Sequence, residues 1–284
     1  MAKILDKVQL SDDVFQFRVH APRIAEARAA GQFILLQTDL DFGERIPLTI
    51  ADADAAEGSI TLIFQAVGHS TQELSHMNVG DDIPVLTGPL GTPTHVEKVG
   101  RVVCVGGGIG VAPLHPIAQA FQAAGNQVDV IMGARRKDLL ILEDRMRAIA
   151  HELVICTDDG SAGRKALVTQ PLKEFCEGPN PPQLVVAIGP PIMMKFCAET
   201  TRLFGIHTIV SLNTIMVDGT GMCGGCRVNV GGKVKFVCVD GPEFDGHQVD
   251  FDNMMQRLGS YKDFEKGEHP HQHEPGHVCK LGRV

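Results

Sequence analysis

The chain has no tryptophan and a single tyrosine, Tyr261, in 284 residues. Flat aromatic platforms for stacking bases are scarce, which argues against single-stranded nucleic acid as a ligand. Positive charge is also in short supply: 26 Lys and Arg stand against 34 Asp and Glu, for a net charge of −8 and a pI near 5.8. An acidic chain is a poor match for polyanions, so neither nucleic acid nor an anionic membrane is expected as a partner. Long apolar runs are missing. The longest, Val102 to Ala112, is too short to span a bilayer and is broken by four glycines. Met1 to Lys7 lacks the apolar stretch of a secretory leader, and the chain reads as cytoplasmic. In a reducing compartment the eight cysteines are not expected to form four disulfides.

Glycine and proline, by contrast, are plentiful, at 31 and 16 residues. Many tight turns follow, which suits loops that cradle phosphates. Residues 1–98 carry short β-type runs: Val14 to Val19 alternates at period two, and Gln32–Leu36, Ile46–Ile50 and Ile60–Val67 are bounded by Gly, Asp and Pro. Such spacing predicts a small antiparallel β-barrel, with short helices at Ile24–Ala29 and Thr71–Met77. From 99 to 213 apolar strands alternate with helical periods, the pattern of a doubly wound parallel α/β sheet. Residues 214–264 form a glycine- and cysteine-dense segment. The remainder, 265–284, is polar, contains His269, His271, His273, His277 and Cys279, and reads as a disordered tail.

Five cysteines are isolated and read as packing residues. The others cluster: Asp218-Gly219-Thr220-Gly221-Met222-Cys223-Gly224-Gly225-Cys226, then Cys238 on an apolar stretch expected to be a strand. Cys223 and Cys226 have the C-x₂-C spacing that points two thiolates at one metal or at two bridged irons, and Cys238 supplies a third. Asp218 lies five residues before Cys223, where the plant-type [2Fe–2S] spacing has its first cysteine, and a carboxylate is a legitimate if harder ligand. Asp218, Cys223, Cys226 and Cys238 are therefore expected to hold a [2Fe–2S] cluster. A zinc site with the same four residues, or a glycine-rich hairpin without metal, are the alternatives.

Gly106-Gly107-Gly108-Ile109-Gly110 follows a strand and opens a helix. The glycines permit a tight turn and close backbone approach to a pyrophosphate, placed at a helix N-terminus. Thr157-Asp158-Asp159-Gly160 and Gly189-Pro190-Pro191 follow other strands, and the second can border a nicotinamide. A free ribose diol favours a carboxylate and a 2′-phosphate favours a base. Asp158 and Asp159 therefore point to NAD(H), while Arg135-Arg136-Lys137 keeps NADP(H) as the lesser choice.

This order of segments resembles the ferredoxin-NADP reductase superfamily. The added cysteine segment is similar to the electron-transfer subunit of dihydroorotate dehydrogenase. With Asp218 in place of a first cysteine and Thr157-Asp158-Asp159-Gly160-Ser161, the chain looks most like the small subunit family of NADH-dependent ferredoxin:NADP oxidoreductase, or sulfide dehydrogenase. The resemblance covers roughly residues 3–264 and implies FAD on the barrel. Arg45-Ile46-Pro47-Leu48-Thr49 stands in the place of the flavin motif R-x-Y-[ST], with Leu48 where the tyrosine would be, Arg45 one residue further away, and Thr49 as the catalytic hydroxyl near flavin N5. Gly68-His69-Ser70-Thr71 resembles the pyrophosphate loop, Phe64-Gln65-Ala66-Val67 the strand beneath the isoalloxazine, and Gly88-Pro89-Leu90-Gly91 the turn leading out of the barrel. Many superfamily members have a cysteine before the Gly-Pro pair; here it is Ile188, so no catalytic thiol is assigned. The implied function is an electron-transfer subunit moving electrons between NAD(H), FAD and [2Fe–2S]. The implied partners are a larger FAD/[4Fe–4S] subunit in a heterodimer and, through it, ferredoxin, with electron bifurcation as one expectation. The alternatives are a dihydroorotate dehydrogenase electron-transfer subunit, against which Asp218 speaks, and a non-catalytic zinc-stabilised binding module.

Overall fold

A computed structural model of the chain describes residues 2–41 and 43–260; the His-rich stretch expected to be a tail lies outside them. The first strands are β1 (Ala2–Gln9), β2 (Val14–His20), β3 (Phe33–Gln37), β4 (Ile46–Asp54), β5 (Ser59–Gln65), β6 (Asp82–Ile83) and β7 (Val85–Leu90). They pair antiparallel in the order β6-β1-β2-β5-β4-β3-β7. The two edge strands are consecutive in the chain, joined through Pro84, so the sheet curls into a nearly closed barrel. Alternation fills it with Phe17, Val19, Ile34, Leu36, Ile60, Leu62 and Phe64, all buried. Helices α1 (Pro22–Ala27) and α2 (His69–His76) lie beside it. Gly88, Pro89 and Leu90 belong to β7, so the expected turn out of the barrel begins only at Gly91: β7 runs on because Leu90 pairs with Phe33.

Seven further elements alternate as β8 (Arg101–Gly107), α3 (Val111–Ala123), β9 (Gln127–Ala134), α4 (Glu143–Ile149), β10 (Glu152–Thr157), β11 (Arg164–Lys165) and α5 (Thr169–Glu177). They are followed by β12 (Leu184–Ile188), α6 (Pro191–Arg202) and β13 (His207–Ser211). The strands are parallel, in the order β11-β10-β9-β8-β12-β13. The chain departs from β8 first to one side and later to the other, so the topological switch lies between β8 and β12, where open α/β sheets bind ligands. Their near-continuous apolar sequences reflect burial on both faces.

The last segment contributes β14 (Arg227–Val230), β15 (Lys233–Phe236), α7 (Val237–Asp240), β16 (Glu243–Asp245) and α8 (Phe251–Gly259). β14 and β15 form a hairpin, and β16 joins the parallel sheet as an antiparallel edge on β13. Cys238 is not on a strand. β15 stops at Phe236 because the Asp240 carboxylate accepts the Phe236 N–H at 2.7 Å and the Lys235 ammonium at 3.1 Å, which folds the chain into the single turn α7. One buried cluster runs through all three parts: Phe33 and Leu35 of the barrel pack with Val103, Val105, Val210 and Leu212, and with Cys226, Val237 and Cys238. No helix among the described residues is long and apolar enough to cross a membrane.

Candidate functional site

The glycine loop sits at the switch point. Gly108 to Gly110 makes one 3-10 turn that runs into the N-terminus of the 13-residue helix α3, where the Val111 N–H turns back onto the Gly108 carbonyl and Pro113 carries no N–H. Gly110 must be glycine for packing: a Cβ would stand 2.7 Å from Gly189 Cα and closer still to the Ile188 carbonyl oxygen. Gly108 has φ +55° and open space where a Cβ would go, so its backbone is bare towards the crevice. Gly106 backs onto Val111 and Leu114, and Ile109 is partly buried against the same core. Met193, in the first turn of α6, lies across the crevice: its thioether would meet a Cβ on Gly107 or on Gly189, and Pro190 borders the same spot. Sequence reasoning missed Met193, because nothing in its spacing says which loop it reaches.

The Asp158-Asp159 loop caps β10, two strands from β8. Asp159 is occupied within its own loop: it accepts the Ser161 N–H at 2.9 Å and the Ser161 hydroxyl at 2.6 Å, and these bonds hold its carboxyl below the usual range. Ser161 in turn accepts the Lys137 N–H at 2.8 Å, and the Asp159 N–H reaches the Arg135 carbonyl at 3.3 Å. The acidic loop and the basic Arg135-Arg136-Lys137 therefore meet at one place, with Arg136 paired to Asp138 at 2.7 Å. Gly160 has φ +81° and closes the turn.

On the barrel, Pro47, Leu48 and Thr49 lie opposite Leu35, Ile34 and Phe33. Arg45 is exposed and makes no ion pair with a described residue. Gly68 precedes α2, whose Thr71 hydroxyl accepts the Gly68 N–H at 3.0 Å and donates to the Gly68 carbonyl at 2.9 Å. Ser70 is buried and donates to Glu44 at 3.3 Å; His69 lies 3.6 Å from Glu73. Gln65 donates to Asp13 at 2.7 Å and the Ala66 N–H to the Asp13 carbonyl at 2.7 Å, which pins the end of β5. The Phe64 ring is buried edge-on to Phe17, with centroids 5.1 Å apart, so its side chain fills the barrel.

In the cysteine loop, Gly219, Gly221 and Gly224 have φ of +73°, +83° and +67°. These left-handed turns coil the loop so that amides point inward. Cys226 and Cys238 are buried with their sulfurs 3.2 Å apart. Burial, then the Cys226 sulfur, pushes the Cys238 thiol up to about 12. Cys223 is exposed and takes the Gly225 N–H at 3.4 Å, while the Cys238 N–H reaches the Cys226 sulfur at 3.5 Å. Asp218 accepts the Thr220 and Cys223 N–H groups, both at 2.8 Å, and these bonds hold its carboxyl low. The four predicted ligands thus fall into two pairs, Cys226 with Cys238 and Asp218 with Cys223. Among the described residues no three metal-binding side chains converge. The donor chemistry still fits an iron–sulfur centre: three thiols, two of them dry, with N–H groups on sulfur.

Residues 104–199 match the family described as the oxidoreductase NAD-binding domain, and residues 213–250 the iron–sulfur cluster binding domain of dihydroorotate dehydrogenase B. The chain is 48% identical over 265 residues to the Thermotoga maritima protein named as a homologue of the electron-transfer subunit of dihydroorotate dehydrogenase B (NAD(+)), covering 93% of each. The chain belongs to this family of electron-transfer subunits. A member from Clostridium perfringens is 29% identical, over 88% of this chain and 97% of that one. Among solved structures, the chain is similar to one from work on flavin-based electron bifurcation by NADH-dependent reduced ferredoxin-NADP oxidoreductase. There the TM-score is 0.89 at 45% identity, over 94% and 95% of the two chains. The fold alone is shared with a Neisseria gonorrhoeae ferredoxin NADP+ reductase carrying FAD and NADP, at TM-score 0.56 and 19% identity over 72% and 90%. This electron-transfer subunit thus combines a ferredoxin-NADP-reductase-like fold with an NAD-binding domain and an iron–sulfur-binding domain.

Proposed function

We propose that this subunit conducts electrons between NAD(H) and a partner subunit by way of FAD on residues 1–98, NAD(H) on 99–213 and a [2Fe–2S] cluster on 214–264. The observation that carries this reading is the seating of the cysteine loop on the barrel. Gly219 packs against Leu35 and Leu90, and Leu35 lies directly opposite Pro47 of the flavin motif. The cysteine loop thus rests on β3, the strand next to the proposed flavin strand, which supports a short path from a two-electron carrier to a one-electron centre. FAD, when bound, takes up a hydride from nicotinamide and releases electrons singly to a one-electron centre.

The chain's own residues position and insulate. Thr49 offers a hydroxyl at the reacting edge of the ring, and Arg45 with the Gly68–Thr71 loop offers charge and N–H groups to the pyrophosphate. Gly106 to Gly110 receives the nucleotide pyrophosphate, while Gly189 and Pro190 border its nicotinamide. Asp158 favours the unphosphorylated ribose. Cys223, Cys226, Cys238 and Asp218 hold the irons.

The likeness to the bifurcating reductase supports a larger FAD/[4Fe–4S] subunit and ferredoxin as partners, with Asp218 as the residue that favours this over dihydroorotate oxidation. Met222, 89% exposed, and Val217, Val234 and Val239 around the loop offer that subunit an apolar surface. Anaerobic titration of the purified chain tests the reading. NADH bleaches the flavin band and then the iron–sulfur bands, and does so at lower concentration than NADPH. One zinc per chain with no visible charge-transfer absorption would overturn it.

A further inference from the structure

Glu243 begins β16, where its backbone pairs with Ser211 at the edge of the nucleotide sheet. Its side chain reaches the segment joining the barrel to that sheet: Thr94, itself buried, donates its hydroxyl to Glu243 Oε1 at 2.6 Å. The same carboxylate oxygen would stand 2.8 Å from a Cβ on Gly31, in the turn before β3, so it rests directly on barrel backbone. Three parts of the fold therefore meet at one acid. Backbone bonds stitch the surroundings: Thr92 N–H to the Gly241 carbonyl at 2.6 Å, Thr94 N–H to the Ala30 carbonyl at 2.9 Å and Leu212 N–H to the Pro242 carbonyl at 2.9 Å.

No cation faces this carboxyl among the described residues. The linker presents the Thr94 hydroxyl, the barrel turn presents Gly31, and from β8 comes the neutral Cys104 thiol, pushed up to about 12 by burial and then by Asp129 and Glu243. Burial pushes the Glu243 carboxyl up to about 7, with the Thr94 hydrogen bond pulling weakly the other way. A charged carboxylate held without a cation costs more than a neutral acid sharing a hydrogen bond.

We propose that Glu243 is a positioning residue that, through Thr94 and Gly31, latches the iron–sulfur segment and the interdomain linker onto the barrel, and that loss of its proton releases the latch. The contacts carry the latch itself; only its consequence for turnover rests on the electron path proposed above.

Amide hydrogen exchange of the full chain with its cofactors, expressed as protection relative to the free peptide, reads the latch directly. An acid titrating near 7 when latched and near 4.5 when released predicts that protection at Thr92 and Thr94 falls about tenfold between roughly pH 6 and pH 8.5. Glu243→Gln, which keeps the shape and cannot ionise, holds protection constant over that range. Thr94→Val lowers it at both ends. An equal fall in the Gln variant, or an equal fall at Val103 in β8, which reports global opening, would overturn the proposal. In the same samples, cluster reduction after NADH addition slows with rising pH in the wild type but not in Glu243→Gln, while flavin bleaching is the same in both. If NADH leaves the flavin unbleached, the electron path fails and the exchange data alone decide the latch.

Discussion

Gly219 in the cysteine loop is seated on Leu35 of β3, so close that a Cβ on the glycine would stand 2.8 Å from the leucine Cδ1. That contact, backed by Leu90 at 2.9 Å, seats the loop that carries Asp218 and Cys223 on the barrel. Gly219 also has φ +73°, so a side chain there meets both a clash and an unfavourable backbone. Gly219→Val is expected to cost about 2–4 kcal/mol, from left-handed strain and overpacking together. Iron content falls while FAD content holds, as metal analysis and absorption spectra would show. Normal iron occupancy in a stable variant would mean the seat is dispensable.

Asp218→Ala removes the acceptor for two loop amides and one expected iron ligand. The expected outcome is a weakened cluster or a shifted potential with FAD still bound, measured by paramagnetic resonance and redox titration. An unchanged spectrum and potential would show that Asp218 shapes the loop only.

Gly108 faces the crevice with nothing within 4 Å of the point where a Cβ would stand. Gly108→Val puts a branched side chain in the space proposed for the pyrophosphate, and strains the φ of +55° by about 1–2 kcal/mol. NADH affinity is expected to fall at least about tenfold, equivalent to ~1.4 kcal/mol, with flavin content unchanged. Fluorescence titration with NADH measures this; wild-type affinity would place the nucleotide elsewhere.

The Glu243 carboxyl, raised to about 7 from an ordinary 4.5, makes folding stability pH-dependent. The folded state holds the proton more tightly than the unfolded one. This stabilisation is complete below pH 4.5 and is lost as pH rises to about 7, by at most ~3 kcal/mol. Glu243→Gln removes that slope. Denaturant melts of both proteins from acid to neutral pH should diverge accordingly; parallel curves would assign the slope to other groups.

Alternation in β2 and β5, apolar runs in β8 and β12, and glycine after strands made the barrel, the parallel sheet and the glycine turn at the switch point readable, because each is a local consequence of side-chain period and backbone freedom. The C-x₂-C spacing marked an iron–sulfur segment for the same reason. Other features had no local signal. The edge-on meeting of Phe64 with Phe17 is one, although alternation with Ile60 and Leu62 already puts Phe64 on the inward face of β5. Cys238 reads as strand, yet one carboxylate two residues on, Asp240, turns it into a helix. The pairing of Cys226 with Cys238, the reach of Met193 across Gly107, the seat of Gly219 on Leu35 and the meeting of Glu243 with Thr94 join residues from 12 to about 180 positions apart. Such contacts depend on how whole layers pack, and packing is decided by the shape of a three-part core that no single segment contains.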